Sequence, residues 1–540
     1  MAGIERFVKR RQPAFGKLIY FSVAAVLFLL AAWNRFSLPQ DPFAVYDTYL
    51  WPALMKLSSG TFAHTQGLNF LYPGVVYLIL RICADFRAIS VIQHILGLIA
   101  GGLFLASWSR LADFFQKPRL NRIAHEAIGL WGAAIYLVSS APAMFEMNIR
   151  ADSVCMFFEM LVFWLVVQFF YYRVISPDAA KVFIYGTAIA VNVFLLASLK
   201  PSFTLMALFV IAPVIWLIVN AQGHFLGKAA FFLIGVCIII TLTLTEHFLR
   251  RNDEAVKTFL PETLFAIHAE IIQEQMAADL KNGETAISSR EWLRHACDDL
   301  EIEIQRSHTL YPKGVSANYL MVGTNSLLKR WRGELGDERF LRFLRYWYWH
   351  SVASRPLSFA GKIASQLGVF YSRECPAFSI HKKLPLARSY AASFSALSRP
   401  PTLQLLAKGP PGSAFLERTQ KLRFIGVVIH QNKQVQAWNI WCARSFLAIL
   451  LVSLPLVGWF VLKRSNSEES KWSAFLVLLL YSTSFGNVLG ISVVHSMVVN
   501  RYSTVLFLSA LFAQFWAIRW LTEVSLGIFA NQVVMGSRIT

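Results

Sequence analysis

A few ionisable side chains fall at the ends of long apolar runs, where charge is costly and persists when it is paired, wet or used. Asp47 lies in DPFAVYDTYLWPALMKLSSG, six residues after Asp41 and among Tyr46, Tyr49 and Trp51. A carboxylate there can serve as a base or a metal ligand, or it can cap the helix that starts near Thr48. Asp152 follows Arg150 at the mouth of an apolar run in MFEMNIRADSVCMFF, where pairing with Arg150 or capping the run are the plainer roles. Lys200, in LLASLKPSFTLM, separates two apolar runs with hardly any loop, and Pro201 breaks the chain there. Its ammonium either snorkels to the interface or meets a phosphate as a compact charge. His495, Asn500 and Arg501 close FGNVLGISVVHSMVVNRYSTVLF. Arg501 can anchor the run that follows or grip a phosphate through two parallel hydrogen bonds.

The elements that position these groups belong in lipid. The chain has 540 residues, 56% of them hydrophobic, and its mean hydropathy is positive, more apolar side chain than a water-soluble core could bury. Forty-four Phe and 16 Trp suit lipid-facing helices and interfacial belts. The formal charge is +20, but the basic segments alternate with apolar spans, a pattern that argues against a nucleic-acid partner. The six cysteines are scattered singly, without zinc-ligand spacing. Cys83, Cys155, Cys237 and Cys442 read as packing residues, while Cys297 and Cys375 could pair or remain free thiols. There is no Walker A loop, no GxGxxG after a strand, no HExxH and no GxSxG, which removes support for ATP hydrolysis, nicotinamide chemistry and zinc proteolysis.

With about 20 apolar residues needed per crossing, the sequence predicts ten spans, near 17–34, 89–108, 126–141, 153–172, 182–199, 202–220, 229–247, 438–462, 472–486 and 502–521. The first follows MAGIERFVKRRQPAFGK without a convincing cleavage site and reads as a retained span. Lys and Arg collect before the first span, after the second and after the eighth, so both termini are expected in the cytoplasm. The short stretch 71–86 reads as an interfacial amphipathic helix. The fold class is therefore all-α and polytopic, with an N-terminal transmembrane module 1–247 that carries an outer first loop 35–88. A large, mostly helical extracytoplasmic domain is expected at 248–437, with C-terminal transmembrane helices at 438–540. Two proline pairs in SRPPTLQLLAKGPPGSAFLERT predict an extended linker at the end of that domain.

The order of these residues resembles the GT-C superfamily of membrane glycosyltransferases, in particular the branch of protein O-mannosyltransferases and bacterial lipid A aminoarabinose transferases. DTYLWPALMKLSSG is similar to that branch's D-x-x-Y-x-x-x-A-x-x-M-L-x-S-G with one residue missing from the spacing. LYPGVVYLIL stands where the branch has KPPLYYWL, keeping Tyr72, Pro73 and Tyr77 but no lysine. NIRADSVCMFF looks like A-R-L-A-x-x-D-x-x-L-x-F-F, SLKPSF like L-T-K-G-P, and Asn500-Arg501-Tyr502 like the late R-Y. The segment 248–437 has no counterpart in that pattern.

The resemblance implies a polyprenyl-phosphate sugar donor, a lipid, glycan or protein acceptor, and an inverting transfer at the outer face of a bacterial plasma membrane. It gives Asp47 the role of general base and Asp152 that of orienting the acceptor or holding a divalent cation such as Mg or Mn, a requirement the residues leave open. Lys200 and Arg501 would neutralise the phosphate, with His495 beside them, and Tyr72, Tyr77 and Trp51 would line the cavity. The large domain would recognise or screen the acceptor, although the aromatic, basic stretch 339–356 could instead lie on anionic headgroups. An O-antigen polymerase or ligase would shift the weight to Arg373, His381 and Arg388. A lipid-linked-sugar transporter or flippase is the non-enzymatic alternative, against which stands the lack of visible internal symmetry.

Overall fold

The computed structural model describes the chain apart from residues 1–13, 45–48, 63–68, 116–117, 222, 252–253, 284–288, 311–316, 322–325, 380–382, 427, 463–467 and 537–540. The chain is an all-α polytopic membrane protein. Helices α1 (Ala14–Phe36), α2 (Leu50–Ser59), α3 (Leu71–Cys83), α4 (Arg87–Leu111), α5 (Arg122–Val138), α6 (Ser140–Glu146), α7 (Ala151–Phe170), α8 (Ala179–Leu199), α9 (Thr204–Val219) and α10 (Phe225–Arg250) precede the insertion. The insertion contains α11 (Glu254–Ile267), α12 (Ala269–Asn282), α13 (Arg290–Leu310), α14 (Ala317–Met321), α15 (Leu327–Leu335), α16 (Asp337–Ser354), α17 (Pro356–Phe370), α18 (Leu386–Leu397), α19 (Pro400–Leu406) and α20 (Pro410–Leu422). Then follow α21 (Lys433–Leu462), α22 (Glu468–Val494), the short α23 (Asn500–Thr504) and α24 (Phe507–Gly536). Strands β1 (Lys383–Pro385) and β2 (Val428–His430) pair antiparallel.

Among the described residues, eight helices are long and apolar enough to cross a membrane, and nine if α5 and α6, bent by 51° at Ser139, count as one span. Together with α24 they correspond one by one to the ten expected spans. Helix α24 has the length, but Gln514, Arg519 and Glu523 dilute its apolar character. Its buried arginine is paired internally: Arg519 donates to Glu523 at 2.6 Å and to His125 at 3.2 Å. Helix α3 has 13 residues, about 20 Å of rise, short of the hydrocarbon thickness.

The insertion is divided between cores. Residues of α11 to α17, from Phe265 to Phe359, form a hydrophobic cluster of their own around Trp331, Phe343 and Trp347. Helix α16 buries Phe340, Phe343, Leu344 and Trp347 in this cluster, so most of the aromatic face of 339–356 goes into the insertion's own core. From Phe370 onward the chain packs on the membrane body, with Phe415 stacked on Phe86 at 4.3 Å and Cys375 N–H bonded to the Ala443 carbonyl. The linker expected around the two proline pairs is instead the helices α19 and α20. Each pair opens a helix, because proline is tolerated in the first turn, where no intrahelical N–H is required. Cys297 and Cys375 are both free thiols, buried in different cores.

Candidate active site

Proline sets the geometry of Lys200. The residue before a proline is driven out of the helical region, so α8 ends at Leu199 and Lys200 is extended, with φ −149° and ψ 109°. Asp152 stands in the first turn of α7, where the positive end of the helix dipole favours a carboxylate. The antiparallel packing of α7 on α8 brings the two together: Lys200 Nζ lies 2.5 Å from Asp152 Oδ1, both groups nearly enclosed. Lys200 is thus turned onto Asp152 rather than snorkelling to the interface, and the charge of Arg150 also acts on that carboxylate.

The late segment completes the cluster. Lys200 Nζ is 4.9 Å from the centre of the Tyr502 ring, Arg501 Cζ is 4.7 Å from the same ring, and the His495 ring centre is 4.6 Å away. The Arg501 guanidinium also donates to Tyr502 Oη at 2.9 Å. Burial works against the Arg501 charge, but Tyr502 and Asp152 outweigh it and hold its pKa above the ordinary value. Burial, reinforced by Arg501, Lys362 and Lys200, pushes His495 down to about 3, so its imidazole is neutral at pH 7. His495 Nδ1 accepts the Ser496 N–H at 2.8 Å, which leaves the ring proton on Nε2. Two cations thus flank one phenol ring, one of them held by a carboxylate, a combination suited to receiving an anion.

The first loop approaches this cluster under firm control. Phe43 exchanges backbone hydrogen bonds with Met147 and Ile149, and Ala44 N–H donates to Ser393 Oγ at 2.9 Å. Asp41 accepts from Arg418 at 2.6 Å and receives the Tyr390 hydroxyl on its carbonyl. Burial raises the Asp41 pKa despite Arg418. Asp47 lies outside the described residues. Beyond it, Tyr49 packs edge-on against Tyr72 at 5.3 Å and feels the charges of Asp152 and Arg501.

The remaining expected residues divide. Tyr72 is buried beside Tyr49, and Trp51 holds its indole N–H buried with no partner among the described residues. Tyr77, five residues after Tyr72 and so roughly 140° around the helix, meets Phe62 instead. Asn500 falls in α23 next to Arg501. Of the residues a polymerase would use, Arg373 and Arg388 are exposed and His381 lies outside the described residues. Among the described residues no group of three His, Cys, Asp or Glu side chains could hold a metal ion. Of the two carboxylates expected to serve, Asp47 lies outside the described residues and Asp152 Oδ1 is engaged by Lys200.

No protein-family model and no curated protein matches the chain. Among solved structures it is similar to the oligosaccharyltransferase of Archaeoglobus fulgidus, crystallised with an acceptor peptide containing the NVT sequon tethered through a disulfide bond. The two are 9% identical with a TM-score of 0.39, over 93% of this chain and 49% of the archaeal one. The chain therefore spans about half the length of that protein. At this score the likeness decides nothing about activity.

Several polar groups around the site were not singled out by the sequence. Arg35, at the end of α1, is fully buried and makes a two-point salt bridge with Glu146 at 2.8 and 3.0 Å. His94 joins the same carboxylate at 2.8 Å. Glu159 is buried two helical turns beyond Asp152 on α7. Arg35 and Glu146 each occur beside an apolar run, a placement that marks paired groups, but nothing local names their partner. Tyr502 stands in the late motif without any sign that two cations would flank its ring.

Proposed function

We propose that this protein is a membrane glycosyltransferase that moves a sugar from a polyprenyl-phosphate donor to an acceptor hydroxyl on the face of the membrane away from the cytoplasm. The observation that carries this reading is the convergence of Lys200 and Arg501 on Tyr502, beside Asp152 and next to the pinned first loop. Basic residues Arg110, Arg119 and Arg122 belong to the opposite end of the bundle, which by the positive-inside rule faces the cytoplasm.

In this account the donor's isoprenoid lies in the bilayer and its phosphate sits between Lys200 and Arg501. Asp47, two residues before Tyr49, takes the proton from the acceptor hydroxyl as its oxygen attacks the anomeric carbon from the side opposite the phosphate. The bond from that carbon to the phosphate oxygen breaks, the configuration inverts, and the charge arriving on the lipid phosphate is met by the two fixed cations. Asp152 keeps Lys200 aimed. Neutral His495 backs the Tyr502 ring, and Tyr72 and Trp51 line the space by the first loop.

The test is mass spectrometry of lipids that copurify with the wild type and with Asp47→Asn, both active-site faces kept in native-like nanodiscs. A polyprenyl-phosphate sugar enriched in the variant supports the reading. Bulk phospholipid alone in both samples contradicts it.

A further inference from the structure

A cavity of about 610 Å³ separates the insertion's own core from the membrane body. That is within the range of small-molecule sites, roughly 300–1,000 Å³. Its walls include Ser358, Ser365, Ser496, Gln366 and Lys362, together with the apolar Ile267, Ile271 and Val369. Glu270 and His308, paired at 2.6 Å and each 44% exposed, also border it. Gly361 lies on the same lining with open space where a side chain would start.

Two of these residues also hold the late segment of the candidate active site. Lys362 Nζ donates to the carbonyls of Ser492 at 2.6 Å and His495 at 3.0 Å, the C-terminal end of α22. Gln366 Oε1 accepts the Met497 N–H at 2.6 Å and the Ser496 hydroxyl at 3.1 Å. One turn of α17 therefore forms the cavity wall on one side and fixes the segment leading to Arg501 on the other.

The lining favours one class of occupant. Ser358, Ser365 and the Glu270–His308 pair offer donors and acceptors beside the apolar Ile267, Ile271 and Val369, which matches a molecule that carries hydroxyls around apolar ring faces. An anion would meet the Glu270 carboxylate and find two of the Lys362 donors already committed to carbonyls. An apolar group would strand the polar lining. We infer that this cavity is the acceptor subsite of the transferase and takes a neutral, polyhydroxylated glycan. The inference rests on the transferase reading for its role, but occupancy of the cavity can be measured without turnover.

The experiment uses the full chain in nanodiscs with the exposed Cys83 and Cys237 replaced by Ser and a probe thiol introduced as Gly361→Cys. Labelling by a water-soluble maleimide is timed with no addition, with maltotetraose and with inorganic phosphate. Gly333→Cys, on α15 and also in open space, is the control. Maltotetraose at millimolar concentration is expected to slow labelling at position 361 at least five-fold and to leave position 333 unchanged, with no effect of phosphate. Protection by phosphate would overturn the glycan assignment, and no protection by either would overturn the site. In a transfer assay, Gly361→Phe should raise the acceptor KM while the copurified donor stays at wild-type level. Loss of the donor in that variant would contradict the subsite, whereas absence of any donor lipid in the wild type would count against the transferase reading instead.

Discussion

Asp152 and Lys200 are 48 residues apart in sequence and 2.5 Å apart in the fold, one in the first turn of α7 and the other closing α8. Truncating one partner of an enclosed pair leaves the other charge without compensation, a loss of about 3–5 kcal/mol. Asp152→Ala should therefore lower thermal stability as well as transfer, while Asp152→Ala with Lys200→Met should regain much of the stability and none of the activity. Thermal unfolding in detergent alongside a transfer assay separates the two effects; full activity in the double variant would remove the pair from the mechanism.

The Arg35–Glu146–His94 cluster is a second buried set of paired charges. Glu146→Gln removes the carboxylate charge that meets Arg35 across that two-point bridge and should destabilise the protein by ~3 kcal/mol or more. Gly97→Ala should act similarly, since a Cβ there collides with the Glu146 carboxylate. Melting temperatures of the purified variants check both, and wild-type stability in Glu146→Gln would show the bridge to be dispensable.

Arg418 ties Asp41 to Asp85 across the first loop and α20, at 2.6 and 3.3 Å. Its side chain is about a third exposed, so Arg418→Ala should cost little stability, on the order of 1 kcal/mol. The same variant should lower transfer about ten-fold or more, because misplacing catalytic groups by a small distance is costly. A variant with unchanged kcat would separate the clasp from the catalytic loop.

Burial lowers the Lys362 pKa to about 7. His268, which caps α12, Glu270 of α12, His308 of α13 and His495 of the late segment lie around it. The unfolded chain, with an ordinary lysine pKa, binds more protons than the folded one between about pH 7 and 10, so stability contributed at this residue rises with pH across that window. The melting temperature should increase from pH 7 toward pH 9.5 in the wild type and increase less in Lys362→Met; equal slopes would show that Lys362 does not titrate there.

Much of the architecture was legible because a bilayer imposes a length and a composition on each span, and ten apolar runs correspond to ten helices. The proline pairs at Pro400 and Pro410 misled because the same residue that ends a helix also starts one. Asp152, Lys200 and Arg501 were legible one by one through the cost of charge at a span end. The meeting of Lys200 with Asp152, and of Lys200 and Arg501 on Tyr502, was not, since it depends on how α7, α8 and the late segment pack. Lys362 and Gln366 were hidden for a different reason: four residues apart on α17, they read as an ordinary polar helix face, and only tertiary packing turns them inward.

The most direct test of the central claim is the amount of polyprenyl-phosphate sugar that copurifies with wild type and with the Lys200→Met, Arg501→Gln double variant, measured by lipid mass spectrometry at matched protein and melting temperature. The account predicts that the donor, present in the wild type, falls at least ten-fold when both phosphate-facing cations are gone, a loss of about 1.4 kcal/mol or more. Equal donor in both preparations would contradict it.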